Sequence, residues 1–402
     1  GTVVSRRGGG VHCSNGAAPF FERVRFEDNV ASHGGAVWSG WEGGARFDDC
    51  EFVRNRSVGS GATGFGGAVY LSGSGAFTRC RFFENESEEN GAALLQSGSG
   101  PVLVTDCHFE SNGSGGAGGA VGLFGGRATV TGCRFLRNAS TGGGRGGAVH
   151  ATDLVARECV FRDNVAGEGG GAVAVHTDRG EITDCRFEGN EARRGGAVLA
   201  YADAGLWVEG CHFRGNVATG NAIVADHGGG AICLADFHPA TIRSSSFVEN
   251  EATHRGGAVL LGTRGVEMEA CSFVGNRASA GSALWVPLEL VGATEVRRCI
   301  LAGGRGSAAI LGSPGAAAAV ACSDLWGNEG GPGSLFTDGG GNFSADPRFC
   351  SPVTGDYRLQ WGSPCLPENS QGCGLVGRFG FGGCASIAVR SESWGALKSR
   401  YR

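Results

Sequence analysis

CHFESNGSGGAGGAVGL, residues 107–123, holds the two phrases from which the fold of this chain is read. The first, CHFESN, sets a Phe three residues before an Asn. It recurs as CEFVRN (50–55), CRFFEN (80–85), CRFLRN (133–138), CVFRDN (159–164), CRFEGN (185–190), CHFRGN (211–216), SSFVEN (245–250) and CSFVGN (271–276), with VRFEDN (24–29) leading the series. The second, GGAV or a near relative, has its Ala at 36, 68, 92, 120, 148, 172, 197, 231, 258 and 283. The steps between these Ala residues run from 24 to 34, and a period of that size marks a solenoid.

Parity within one repeat gives the coil. Phe lies two residues after the Cys column, so both side chains share one face of a strand. Upstream, apolar residues fall three and five before the Cys, as in Val102 and Val104, Leu206 and Val208, or Val266 and Met268. That pair is out of phase with Cys and Phe, so a corner must intervene, and polar pairs such as Asp48-Asp49, Thr105-Asp106, Thr183-Asp184 and Arg297-Arg298 occupy it. A third strand starts at the GGAV phrase, where Val69 and Leu71, or Val173 and Val175, share a phase. The expected fold is therefore all-β: a single-stranded right-handed parallel β-helix of about 12 coils with three strands each. At roughly 4.8 Å per rung the stack is about 55–60 Å long.

The columns carry their own expectations. Stacked Phe residues make one internal aromatic column, each worth roughly 1.5–3 kcal/mol of burial. The Cys residues at 50, 80, 107, 133, 159, 185, 211, 271, 299 and 322 line the same wall as reduced, small hydrophobes, because side chains stacked in register offer poor disulfide torsion. Asn at each corner is expected to adopt a left-handed conformation and to ladder with the amides above and below. Asn55, Asn85, Asn112 and Asn138 also begin N-x-S sequons, which we read as a by-product of a small-residue position. The double Gly suits positive φ and close approach between coils.

Composition bounds the function classes. Gly supplies 77 of 402 residues and Pro 10, without a Gly-X-Y period, which excludes collagen. The net charge of −5 is spread evenly, with no basic stripe, so no nucleic-acid partner is expected. No run of 18 apolar residues is present, so no transmembrane segment is expected. The chain starts at Gly1 without a charged-then-apolar leader and reads as a mature or trimmed product.

Alternating Gly-Gly-Ala-Val/Ile and Phe-x-x-Asn over residues 24–330 resembles the repeat of chlamydial polymorphic outer-membrane proteins, and of secreted bacterial β-helix proteins in the pectate-lyase-like superfamily. The resemblance implies a secreted protein or one on the bacterial outer surface, with polysaccharide or a host or cell surface as its partner. ADPRFC (345–350), GDYRLQWGSPC (355–365) and CGLVGRFGFGGC (373–384) resemble the closing segment of such proteins. We therefore divide the chain into a β-helix (1–330), a closing segment (331–384) and a basic tail (385–402). Cys350, Cys365, Cys373 and Cys384 fall outside the repeat column, and proximity pairs Cys350 with Cys365 and Cys373 with Cys384.

Two function classes stand. The first is binding, adhesion or display, with carbohydrate as an expected ligand. The second is a polysaccharide lyase or glycoside hydrolase on the same scaffold. Pectate lyases hold Ca²⁺ on carboxylates, which makes Ca²⁺ the one cofactor the resemblance could bring; no other is expected. The polygalacturonase-type set of N-T-D, D-D, H-G and R-I-K does not occur together, and Asp48-Asp49 falls where a solvated corner pair is expected. The residue after the GGAV valine should point outward, and there stand Trp38 and Tyr70, with Trp41 nearby: a platform for sugar rings, unless a loop or the N-terminal segment covers it. The longest step, 197 to 231, brings Asp226 and His227 near Asp236 and His238, a second candidate site or a polar loop.

Overall fold

A computed structural model describes residues 7–384 except 15, 42, 60–62, 178, 203–204, 222–226, 236–238, 263–264, 288–293, 314–317 and 335. Successive coils contribute strands to three long parallel sheets. The first contains strands such as Val37–Ser39 and Val149–Ala151, the second Gly44–Asp48 and Val102–Thr105, the third Glu51–Val53 and Arg134–Leu136. Among the described residues they hold 12, 13 and 11 strands, with coils following one another in chain order and no α-helix.

The expectation of three strands per coil needs one addition. After the Asn, two residues pair with their equivalents in the next coil, as in Arg56–Ser57 with Glu86–Ser87, and build a fourth, nine-stranded sheet. Its inward position takes only small residues, Ser57, Ser87, Ser114 and Ser140, then Ala166, Ala192, Ala218 and Ala252, all buried.

The Phe column is as expected. Phe52, Phe82, Phe109, Phe135, Phe161, Phe187 and Phe213 are fully buried and stack in register, with Phe109 and Phe135 centroids 4.7 Å apart and 4° from parallel. That spacing is the rung spacing of the sheet, so backbone pairing itself brings the rings face to face. In the early coils Phe47 and Phe77 of the second sheet add a second stack, edge-on to the first.

The Asn residues form the expected ladder with one correction. Asn112 donates from Nδ2 to Asn138 Oδ1 (2.9 Å) and to Phe82 O (3.0 Å), and its backbone N–H reaches the same Asn138 Oδ1 (3.1 Å). The left-handed residue is the one before the Asn: Arg54, Glu84, Arg137 and Asp163 have φ of 50° to 55°. The same applies to the corner ahead of the Cys column, where Asp49, Asp106 and Asp184 have φ of 51° to 53°. The sequon Asn55, Asn85, Asn112 and Asn138 are at most 1% exposed, so their amides are committed to the ladder. In the double Gly, Gly118 sits at φ 71°, and a Cβ on Gly119 would lie 1.9 Å from Gly147 O.

The Cys column is reduced from Cys50 to Cys299, but Cys322 does not belong to it. Cys322 has φ 50° and is the corner residue; Ser323 takes the column position and Leu325 the Phe position. Its outward side chain forms a disulfide with Cys373, and Cys350 pairs with Cys384, while Cys365 is a buried free thiol. The expected Cys350–Cys365 and Cys373–Cys384 pairs are thus replaced. Proximity in sequence misled because the end of the closing segment returns to the antiparallel pair Phe349–Ser351 and Asp356–Leu359, which brings Cys384 to Cys350, while the stretch between runs back along the outer face of the third sheet. There Leu359, Cys365, Leu366 and Val376 pack on Ile300 and Ala302. Further back, Arg378 donates to Gly210 O (2.7 Å), Ser246 Oγ (2.9 Å) and Cys211 O.

Candidate functional site

The outward column of the first sheet runs through His12, Trp38, Tyr70, Leu95, Gly122, His150, Ala174, Leu199, Cys233, Leu260, Trp285 and Leu311. Most of these side chains are buried even though they face away from the core, because residues just before the double Gly lean over them. Arg7 lies over the Trp38 ring at 4.9 Å and His12 tilts against it at 4.5 Å. Arg255 lies over Trp285 in the same way, at 5.2 Å.

Trp38 and Tyr70 are therefore neighbours on one outward column, as read from the sequence, but not an open platform. Trp38 is 7% exposed beneath the N-terminal segment. Tyr70 is half-buried, with His33 edge-on at 5.3 Å and its hydroxyl hydrogen-bonded to Ser97 Oγ at 2.9 Å. Trp41 stands apart, 72% exposed in the turn leaving the first sheet. His227 is buried and its Nδ1 accepts a hydrogen bond from the Asn221 N–H (3.1 Å). Asp226, Asp236 and His238 lie outside the described residues. Asp48 pairs with Arg79 at the corner (2.5 Å), as a solvated pair would.

The column opens midway. His150 has Gly122 on the rung before it and Ala174 on the rung after. Gly122 leaves its rung without a side chain, and the half-buried Phe124 ring folds into that space to reach His150, with centroids 4.9 Å apart. Longer strands at Val173–Thr177 and Val198–Ala202 add outward residues, so His176 sits 6.1 Å from His150 and Tyr201 5.6 Å from His176. The opposite wall is bare backbone, Gly115-Gly116 and Gly143-Gly144, from the Gly-rich loops ahead of two successive double-Gly turns. The result is a groove of about 530 Å³, a volume ordinary for a small-ligand site.

Its electrostatics are uneven. Arg145 stacks on the Tyr201 ring at 4.8 Å, and among the described residues no carboxylate lies within ion-pair distance of it. Arg194 approaches the same ring at 5.4 Å, and its Nη2 pairs with Glu168 at 2.7 Å. His150 is 6% exposed and its Nδ1 is shut off from solvent without a hydrogen-bond partner. Burial first, then the neighbouring His176 and Arg145, push this imidazole down to about 3, so it is neutral near pH 7. Among the described residues the groove lining contains no Asp or Glu. Among the described residues no three His, Cys, Asp or Glu side chains gather as metal ligands would.

Sequence reading found the outward column but stopped at its aromatic members. GGAVH at 146–150 sets His150 in that column by the same parity that placed Trp38, and it was the available signal. The groove beside it was not readable, because Gly115-Gly116, Phe124 and His176 come from other coils.

The family described as right-handed β-helix region matches residues 1–135, 64–213 and 124–323, and the chain belongs to it. No curated protein and no solved structure matches the chain significantly.

Proposed function

We propose that this β-helix is a secreted or cell-surface protein that binds a saccharide without turning it over, and that the ligand lies in the groove between Phe124, Arg145 and His176. One observation carries the reading: among the described residues the groove offers ring faces, imidazoles, a guanidinium and bare glycine backbone, but no carboxylate. Most glycosidases hydrolyse their bond with a carboxyl pair at defined separation, whereas recognition needs an apolar face with a few convergent polar groups. The two disulfides fit an oxidising compartment.

Calorimetric titration with a panel of oligosaccharides, run beside an assay for new reducing ends and unsaturated products, tests it. We expect saturable binding without product. Phe124→Ala should weaken binding about tenfold through loss of the ring contact, with an unchanged melting temperature. Product formation, or binding indifferent to Phe124→Ala, would overturn the proposal.

A further inference from the structure

We infer that the groove contains a subsite for one anionic group, a carboxylate or sulfate ester carried by the ligand, received by Arg145 with His150 and His176. This deepens the reading of the groove as a saccharide site and rests on it.

Three independent features converge on one spot. The first is an uncompensated cation. Several arginines elsewhere on the outer faces meet carboxylates of a neighbouring coil: Arg157 with Glu181, Arg243 with Glu267, Arg54 with Asp28. Among the described residues Arg145 has only the Tyr201 face. Stacking on a ring fixes the guanidinium plane and leaves its N–H edges free, and a planar fork suits two oxygens of one anion.

The second is a buried polar atom without a partner. An orphaned ring nitrogen at the base of a cavity costs free energy unless a ligand or water completes it. His150 Nδ1 is such an atom: it is buried without a hydrogen-bond partner, and its ring lines the groove beside Phe124 and His176.

The third is the sign of the field. His150 lies beside His176 and Arg145, with burial adding to the cost of a proton there. Glu168, whose backbone N–H bonds Gly144 O in the groove wall, has its carboxylate committed to Arg194. An anion placed among these groups would gain from all three, and a cation from none. Exposed glycine N–H groups of the facing loop, Gly143 in particular, with no heavy atom within 4 Å of its Cβ position, leave space for a bulky ring to carry the anion in.

The experiment uses four probes on the full chain: a uronic-acid trisaccharide, its methyl ester, a sulfated trisaccharide and inorganic sulfate. Binding is read by calorimetry and by the ¹³C-histidine signals of His150 and His176. Arg145→Gln is the main variant, since Arg145 is half-exposed in a loop, and a melting curve confirms that it folds. The acid or the sulfated sugar should bind at least tenfold more tightly than the ester. Arg145→Gln should abolish the preference, so that the charged ligand and the ester bind the variant equally. Which charged sugar is preferred identifies the carrier. Equal binding of acid and ester, unaffected by Arg145→Gln, overturns the anion subsite while the saccharide site stands. Sulfate shifting the histidine signals in an Arg145-dependent way, with no sugar binding, supports the subsite and overturns the saccharide reading. Silence from all four probes overturns both.

Discussion

A single column position shows how this chain uses a residue. The Cys column reads as small apolar filling, yet each thiol also closes two backbone valences at a tight corner. The Cys80 N–H reaches Cys107 Sγ (3.3 Å), and Cys107 Sγ donates to Thr105 O (3.2 Å). Where Ser replaces Cys the pattern persists: the Cys211 N–H reaches Ser245 Oγ (3.2 Å), which donates to Arg243 O (2.8 Å). Burial holds Cys107, Cys185 and Cys299 as thiols, with pKa values pushed up. From this we expect Cys133→Ser to change unfolding free energy by less than about 1 kcal/mol, and Cys133→Ala to cost about 1–3 kcal/mol, because the Cys107 N–H loses its acceptor inside the core. Urea unfolding of the two variants checks it; equal losses would return the column to a purely apolar role.

At the scale of the strand, one rung holds another through in-register columns. Phe135 lies between Phe109 at 4.7 Å and Phe161 at 4.9 Å, and its removal leaves a cavity that the surrounding rungs cannot close. Phe135→Ala should cost about 3–5 kcal/mol. Each coil touches only its neighbours, so hydrogen exchange should rise in the adjoining coils and stay unchanged beyond Phe213 and in the closing segment. The periodicity made this column legible, since one phrase repeated in phase fixes both strand and facing. The fourth sheet was not legible: two residues such as Arg56–Ser57 carry no period of their own, and their pairing exists only because neighbouring coils are already stacked. The turn chemistry was half legible, with the polar corner recognised and the left-handed residue placed one position late.

Over the whole molecule the closing segment is the long-range element, and Asp324 is its titratable joint. Buried at the junction, Asp324 accepts from the Ala345 N–H (3.1 Å) and from Cys365 Sγ (3.4 Å). Burial is the main cause that lifts its pKa from the ordinary carboxylate range to about 7. Between pH 4 and 7 the folded chain thus holds a proton that the unfolded chain has released, so this group's contribution favours folding below pH 4 and is lost as pH rises to about 7. His150 and His212, pushed down to about 3 and about 4 by burial first, act oppositely below pH 6.5. The difference between wild type and Asp324→Asn isolates the carboxyl. We expect the variant to gain relative to wild type as pH is raised from 5 to 8, by no more than about 4 kcal/mol, seen as slower exchange of the Leu359–Val376 amides. Parallel pH curves would remove Asp324 from the joint.

The sequence by itself determined the β-helix, the inward Phe column, the reduced thiol wall, the Asn ladder and the outward phase of Trp38 and Tyr70. These follow from local parity repeated at a fixed period, and repetition converts a weak strand signal into a strong one. Only the tertiary structure decided which outward residues are covered, which cysteines pair and where a cavity opens. Trp38 is covered because Arg7 comes down upon it, Cys322 meets Cys373 because the closing segment doubles back, and His150 lines a groove because Phe124 and His176 reach it from the rungs either side. Each of these depends on which residues from different coils become neighbours. Period and parity constrain a residue's facing, but not the volume or charge of what arrives against it from another rung.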